Sequence, residues 1–531
     1  MESASPLAEL DKRWRSTCKI VLGGDVGGLE GYEKWLSERA DPVFYSESSL
    51  SKKGVAFGLG EYCDGSSRIS FEEMDFGKKA EPLPIDDIKD IDSIIGALRE
   101  RFSYAGNIIL GNSKFIEKSA NISDSFFVHG STHVGDSKYI SCSSMARLCD
   151  HVFGTAAPGE SSFMIRCNDT YHVKRAFELW MSSNSADCYY VFALNNCSDC
   201  MFSFNLRGKH RCIGNAELPK EKYLSLKSSL LEQMRSELEG KKKLPSLTGI
   251  LAKCGDDSSY AKKLAAKPLP NSSSEGSMLS LEEAFSRTTK LLFGSELSGL
   301  KKYRGWLLSR IRLGEMRRSS ISGAPLFVCN YAKYMQVPAS RACTEAESLK
   351  IAELMPAASS IEGISFAKAH DFIGKIAFLP LDFHDGTNNN VIECMAYAYS
   401  SSILQCSPAV QIKDSAYCLW PRSSEHLFGC NIMFDSAFCI HCYQSLKLNR
   451  CFEVDSSRDC SDCYFCHNCE NVQSGIFCFN AKNLRYAVGN VEVGREKYLQ
   501  AKVALMRRIA PALETGKALG LDIFNCLGRK A

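Results

Sequence analysis

The sequence predicts a mainly β protein with flanking helices, built as tandem duplicated lobes, each ending in a short β-solenoid-like, cysteine-rich region capped by a helix. Three observations predict it. A segment pattern returns after roughly 270 residues, a set of cysteines shares one three-residue phase, and an amphipathic helical stripe closes each copy.

The duplication comes first because it organises the rest. Lys19-Ile20-Val21-Leu22-Gly23, with Gly28-Leu29, Tyr32 and Trp35-Leu36, returns as Lys290-Leu291-Leu292-Phe293-Gly294, with Gly299-Leu300, Tyr303 and Trp306-Leu307, at an offset of 271. Further on, His151-Val152-Phe153-Gly154 returns as His426-Leu427-Phe428-Gly429, and Glu221-Lys222-Tyr223-Leu224 as Glu496-Lys497-Tyr498-Leu499, at an offset of 275. Two similar lobes follow, 1–245 and 281–520. The Pro/Ser/Gly-rich stretch from Lys267 to Ser277 marks a linker within 246–280, and 521–531 remain as a tail.

Within each lobe, the apolar runs at 19–23 and 290–294 read as strand-like, followed by a short amphipathic helix at 28–39 and 299–310, with Tyr and Trp as core residues. The middles, near 45–130 and 320–390, mix short apolar runs with Gly and Ser and read as strand-rich by default. The cysteine-rich regions span about 140–215 and 392–490. Closing helices over 220–241 and 495–515 follow from Tyr223, Leu226, Leu230, Met234 and Leu238, and from Val503, Met506, Ile509 and Leu513, all at three- and four-residue spacing.

The cysteines carry the most specific signal. In the second copy they stand at 394, 406, 418, 430, 439, 442, 451, 460, 463, 466, 469 and 478, and every gap is a multiple of three. A period of 21 is superposed, linking Cys418, Cys439 and Cys460. The first copy keeps the phase at Cys149, Cys167, Cys188, Cys197, Cys200 and Cys212, and Cys142 breaks it. A period near 20 without helical spacing is that of a β-solenoid, whose coils stack about 4.8 Å apart and align equivalent side chains in columns. Small thiols fill a narrow interior without burying charge, and neighbours such as Asp459 and Asp462 favour tight corners. Strand alternation sends residues three apart to opposite faces, so Cys460, Cys463, Cys466 and Cys469 demand frequent corners or a non-strand backbone.

Metal binding is the rival reading of the same thiols. Cys439-x2-Cys442 with Cys460-x2-Cys463 has the spacing of a four-thiolate zinc site. The first copy, however, has Met164 and Ser185 where the second has Cys439 and Cys460. Neither supplies a thiolate, so a structural thiol ladder is preferred, with zinc or another soft metal as the alternative.

The segment Asp459-Cys460-Ser461-Asp462-Cys463-Tyr464-Phe465-Cys466-His467-Asn468-Cys469 resembles the repeats of an uncharacterised cysteine-rich family of uncultivated bacteria, archaea and phages, sometimes labelled a CoA-transferase family. Leu206-Arg207-Gly208-Lys209-His210-Arg211-Cys212-Ile213-Gly214-Asn215, then Lys220-Glu221-Lys222-Tyr223, is similar to the signature that ends those repeats. The second copy is looser, with Ala487 in place of the signature cysteine. Zinc-ribbon-like pairs that open many members have no counterpart before Cys197, and the resemblance implies no established activity.

Composition narrows the function classes. Lys plus Arg number 64 and Asp plus Glu 61, which removes the charge argument for general nucleic-acid binding. No secretory signal or membrane-length apolar run is read, so a cytoplasmic chain with free thiols is expected. Gly23-Gly24-Asp25-Val26-Gly27-Gly28 reads as a turn and not a phosphate cradle, because an acid stands where an anion would sit. His441, His467 and the cluster Asp382, His384 and Asp385 are the remaining polar candidates, without a recognisable catalytic pattern. The expectation is a non-enzymatic scaffold, with no cofactor and with a protein partner or self-association. A zinc-binding protein using Cys439, Cys442, Cys460 and Cys463 is the alternative.

Overall fold

A chain that sends every third side chain into one narrow interior must turn at every third residue, and the backbone does so. From Phe115 to Gly214, and from Asn390 to Gly489, every third residue takes φ between +47° and +66°, with Pro408 as the exception because its ring forbids positive φ. In the computed structural model, which describes residues 6–75, 101–255, 276–312, 314–329, 337–353 and 363–528 together with 96 and 361, the protein is mainly β with a few helices.

The strands pair in parallel with the residue twelve positions on. Lys138 faces Asp150, Asp150 faces Ser162 and Ser198 faces His210 in the first ladder, and Asn389 faces Ser401 and Ala437 faces Asn449 in the second. Three residues between corners therefore give four sides per turn. Only the first turn of each ladder is longer by one, Ile109 facing Ile122 and His384 facing Tyr397. This corrects the period near 20. The spacing of 21 is one turn of twelve plus three sides of three, so Cys418, Cys439 and Cys460 lie nearly two turns apart and on different sides. Frequent corners also resolve the Cys460 to Cys469 run. Left-handed residues other than glycine cost roughly 1–2 kcal/mol each, and each corner is held by ladder hydrogen bonds such as Cys142 N–H to His129 O at 3.0 Å and Asp462 N–H to Asn449 O at 3.0 Å.

Each triplet sends one residue inward, one to the corner and one outward. Inward residues such as Val128, Val134, Ile140 and Val152 form the interior of the first ladder, and the cysteine-rich set does so in the second. Outward residues at intervals of twelve, Phe153, Ile165, Phe177 and Tyr189, then Phe428, Ile440, Phe452 and Tyr464, belong to one large core shared with the helices. The ladders begin earlier than the cysteines do, at Ile109 and His384, because the first turns use Ser and aliphatic residues inside.

The apolar runs at 19–23 and 290–294, read as strand-like, are instead the last turns of helices Pro6–Leu22 and Leu279–Phe293. Leu10, Trp14, Cys18 and Val21 fall on one helical face and bury it on the ladder, which decides helix over strand. Asp11 accepts from the Leu29 N–H at 2.7 Å, and its equivalent Glu282 accepts from Gly299 and Leu300 at 2.9 to 3.0 Å. Carboxylates of the chain itself thus occupy the anion position of the glycine-rich turns. The middles also hold a matched hairpin: Phe44–Glu47 with Gly54–Phe57, and Glu315–Arg318 with Pro325–Val328, again 271 apart. The range 246–280 includes the buried helix Leu247–Leu251, and most of its Pro/Ser stretch lies outside the described residues. The tail is packed through 527, with Ile523 and Phe524 buried.

Each half covers the other. Asn480 in the second ladder donates to the Ser103 carbonyl at 2.9 Å, and Asn205 in the first donates to the Phe378 carbonyl at 2.8 Å. Both pairs are related by 275 positions. Tyr104 accordingly packs on Phe479, while Phe366 packs on Tyr190 and Phe202.

Candidate functional site

The thiols are the first candidate, and the ladder register assigns each a column. Cys394, Cys406, Cys418, Cys430 and Cys442 succeed one another at intervals of twelve, and Cys439, Cys451 and Cys463 form a second column. Each thiol donates to the carbonyl two residues back, as Cys439 does to Ala437 at 3.3 Å and Cys463 to Ser461 at 3.3 Å. Several also accept the amide twelve residues on: Cys406 N–H meets the Cys394 sulfur at 3.2 Å and Cys442 N–H meets Cys430 at 3.5 Å. A short side chain that both donates and accepts therefore satisfies two inward-pointing backbone groups that water cannot reach.

Hydroxyls do the same work in the first ladder. Subtracting 275 turns Cys394, Cys406, Cys418, Cys430 and Cys442 into Ser119, Ser131, Ser143, Thr155 and Cys167. Along that column Ser131 N–H donates to Ser119 at 3.1 Å, Ser143 to Ser131 at 3.0 Å, Thr155 to Ser143 at 3.1 Å and Cys167 to Thr155 at 3.2 Å. Ser143 Oγ donates to Ser141 O at 2.8 Å, the counterpart of Cys418 to Ala416 at 3.3 Å.

Cys439, Cys442, Cys460 and Cys463 are not drawn to one point. Cys439 and Cys463 share a column with Cys451 between them, two strand spacings or about 9.6 Å apart. Sulfurs bound to one zinc at about 2.3 Å lie about 4 Å from each other. Cys442 stands in the neighbouring column, facing Val454 on the next turn, and Cys460 belongs to a third. Among the described residues no group of three or more His, Cys, Asp or Glu is arranged around a metal position. Burial pushes the Cys149 thiol up to about 12 and raises those of Cys418 and Cys442 well above the usual range, which keeps them protonated donors. Cys142, which breaks the phase, sits at a left-handed corner and packs outside the interior.

The second candidate is a set of buried polar pairs between ladder and cover. Arg166 pairs with Glu178 at 2.8 Å and lies 4.6 Å from the Trp35 ring, and His441 pairs with Glu453 at 2.7 Å with Trp306 at 4.6 Å. The two sets are related by the repeat. Each carboxylate also accepts an amide of the following segment, Leu247 N–H to Glu178 and Ile523 N–H to Glu453, both at 2.9 Å.

The second half adds a chain absent from the first. His467 Nε2 accepts from Ala105 N–H at 3.0 Å, so Nδ1 carries the hydrogen and donates to Asp455 at 2.9 Å. Tyr62 O–H donates to the same carboxylate oxygen at 2.6 Å, and burial holds the Tyr62 hydroxyl well above its ordinary pKa. Trp180 and Phe192 occupy the equivalent positions in the first half. Both imidazole nitrogens are engaged with protein groups, so this chain fastens Tyr62 and Ala105 to the second ladder. Sequence reasoning singled out His467 beside Cys466 but had no means of finding Tyr62, which lies 393 residues from Asp455.

The cluster Asp382, His384 and Asp385 is also engaged across the halves. Glu345 pairs with His384 at 2.8 Å and with Arg207 of the first ladder at 2.8 Å, while Asp382 accepts the Glu345 amide at 2.6 Å. Burial raises Asp382 to about 6. Asp385 is exposed and caps its own turn through Gly386 N–H.

The face of the first ladder that no cover occupies among the described residues carries Leu148, Glu160, His172, Asn184 and Asn196 in one corner column, twelve residues apart. No helix among the described residues is long and apolar enough to cross a membrane. No family model, no curated protein and no solved structure matches the chain.

Proposed function

We propose that the protein is a non-enzymatic scaffold in which two duplicated lobes, each a four-sided β-solenoid of twelve residues per turn, are fastened by exchanged covers and present their open faces to a protein partner. The observation that carries this reading is the equivalence of the columns Ser119, Ser131, Ser143, Thr155 and Cys394, Cys406, Cys418, Cys430. If hydroxyls and thiols fill equivalent places with equivalent hydrogen bonds, the thiols serve as interior hydrogen-bonding filler, and neither redox nor metal chemistry is needed to explain them. Open corner columns then offer side chains at strand spacing over an extended surface, a geometry suited to protein contact. The resemblance to a cysteine-rich repeat family agrees with this and adds no activity.

The test is the combined variant Cys406→Ser, Cys418→Ser and Cys430→Thr. It should fold, elute as the parent does, and retain in cross-linking the same partners from the native host. Loss of a partner or of an activity on that exchange, in a chain that still folds, would overturn the reading.

A further inference from the structure

The duplication supplies an internal control for the helices that close each lobe. Helix Lys220–Lys241 and helix Arg495–Gly516 both bury the face that meets their own lobe, through Tyr223, Leu230, Met234 and Leu238 and through Tyr498, Leu505, Ile509 and Leu513. The stripe predicted from Val503, Met506, Ile509 and Leu513 therefore mixes two faces. Val503 is 51% exposed and belongs with Leu499, 44% exposed, and the half-buried Met506 on an outward stripe at intervals of four and three, and the next position of that stripe, Ala510, is buried.

That stripe and the end of helix Leu279–Phe293, where Leu291 is 44% exposed, are the walls of an open apolar groove that the buried Ala510 also lines, with the exposed Pro511 beside it. In the first half the same groove is filled. Arg235 donates from its guanidinium to the Gly23 carbonyl, and it lies so close over Gly24 that a Cβ there would meet it at 2.6 Å. The repeat places Ala510 where Arg235 stands, Ser295 at Gly24 and Val503 at Ser228. The second half thus lacks the plug and has Val503 for Ser228, while its exposed walls Leu291 and Leu499 have equally exposed counterparts in Ile20 and Leu224 of the first half.

The rim states the chemistry of the occupant. Lys502, held 4.8 Å from the Tyr464 ring, and Arg507 flank the groove, and Glu514 is the acid among the lining residues, so the rim is basic by one charge. Helix Arg495–Gly516 carries five Lys and Arg against two Glu, whereas helix Lys220–Lys241 carries five against four. A groove between two helices with apolar walls and a basic rim is complementary to an amphipathic helix with acidic flanks. We propose that the groove between Leu291 and Val503 is the docking site for an acidic amphipathic helix of a partner protein. The proposal rests on the scaffold reading and gives it a partner class.

The probe is a fluorescein-labelled helical peptide of about 20 residues, with Leu at i, i+3, i+4 and i+7 and Glu on the flanks. It is titrated against the full chain by fluorescence polarisation, beside the same peptide with Lys for Glu. Val503→Ser restores the residue of the first half at an exposed position, and Ala510→Arg restores its plug at a buried one, so the folding of each is checked by circular dichroism and Val503→Ser carries the test if Ala510→Arg does not fold. Each should weaken the Glu peptide about tenfold or more, and the Lys peptide should bind at least as weakly as those variants do. Equal binding to parent and variants, or equal binding of the two peptides, would overturn the proposal. So would a dimer in sedimentation, or adsorption to phosphatidylserine vesicles, that Ala510→Arg abolishes, since these assign the groove to a second copy or to a membrane. Native-host partners that survive Ala510→Arg would sink the groove and leave the scaffold standing, whereas partners lost only with the combined thiol exchange would sink the scaffold itself.

Discussion

Acid should loosen the seam between the two ladders, and His133 gives the magnitude. Its Nε2 meets Gln444 of the other ladder at 2.7 Å and its Nδ1 meets Thr132 at 2.9 Å. Burial lowers the ring from 6.5 to about 4, outweighing the hydrogen bond to Gln444 and the field of Asp455, which both favour the charged form. A folded pKa below the unfolded one means the unfolded chain binds the proton first. The stability is therefore complete above pH 6.5 and is lost as pH falls from there towards 4. At pH 4.5 the difference amounts to about 2.5 kcal/mol, at about 1.36 kcal/mol per unit. His133→Gln keeps a donor towards Gln444 and removes the titration. Urea unfolding at pH 7.5 and at pH 4.5 should show the parent losing about 2.5 kcal/mol more than the variant across that interval. Identical losses would refute the assignment of the seam to a neutral, half-buried histidine.

Three further outcomes follow from the same geometry. Arg166→Leu leaves Glu178 buried with its Trp180 and Leu247 donors and the field of Arg39 but without its paired guanidinium, and should cost about 3 kcal/mol in chemical denaturation. In the hydroxyl column Thr155→Val strands the Cys167 amide and should destabilise by about 1–3 kcal/mol, whereas Thr155→Cys, the residue of the other copy, should stay within about 1 kcal/mol; a larger loss for the second exchange counts against the equivalence of thiol and hydroxyl. Protein purified without chelator should hold well under about 0.1 zinc per chain by mass spectrometry, because a four-thiolate site requires sulfurs closer than two strand spacings; one zinc per chain that Cys460→Ser removes would restore the metal reading.

How much was legible in the sequence depends on where each signal is stored. The three-residue phase of the cysteines is local, since each interior position accepts only small or apolar side chains, and Cys460 to Cys469 displayed the frequent corners. The turn length was hidden because Leu179, Val191 and Val454 interrupt the polar columns, leaving 21 as the more visible spacing. Corners were hidden for another reason. Left-handed backbone ordinarily selects Gly, Asn or Asp, yet Phe163, Arg166, Glu178 and Tyr190 occupy it here, at φ of +48° to +55°.

The candidate sites divide the same way. Thiols are found by counting, and Glu178 with Arg166 or Glu453 with His441 lie twelve residues apart, a spacing visible once the turn length is known. The bond from Tyr62 to Asp455, the bridge from Glu345 to Arg207 and the His133 seam join residues 138 to 393 positions apart, and no local pattern announces them.

The amino-acid sequence by itself determined the repeat, the phase of the interior and the helices that close each copy, because these follow from side-chain size and periodicity along a single stretch of chain. Tertiary structure alone decided which half covers which. Asn205 reaching Phe378 and Asn480 reaching Ser103 depend on two segments meeting in space, and an amide that seeks any carbonyl carries no address in its own neighbourhood.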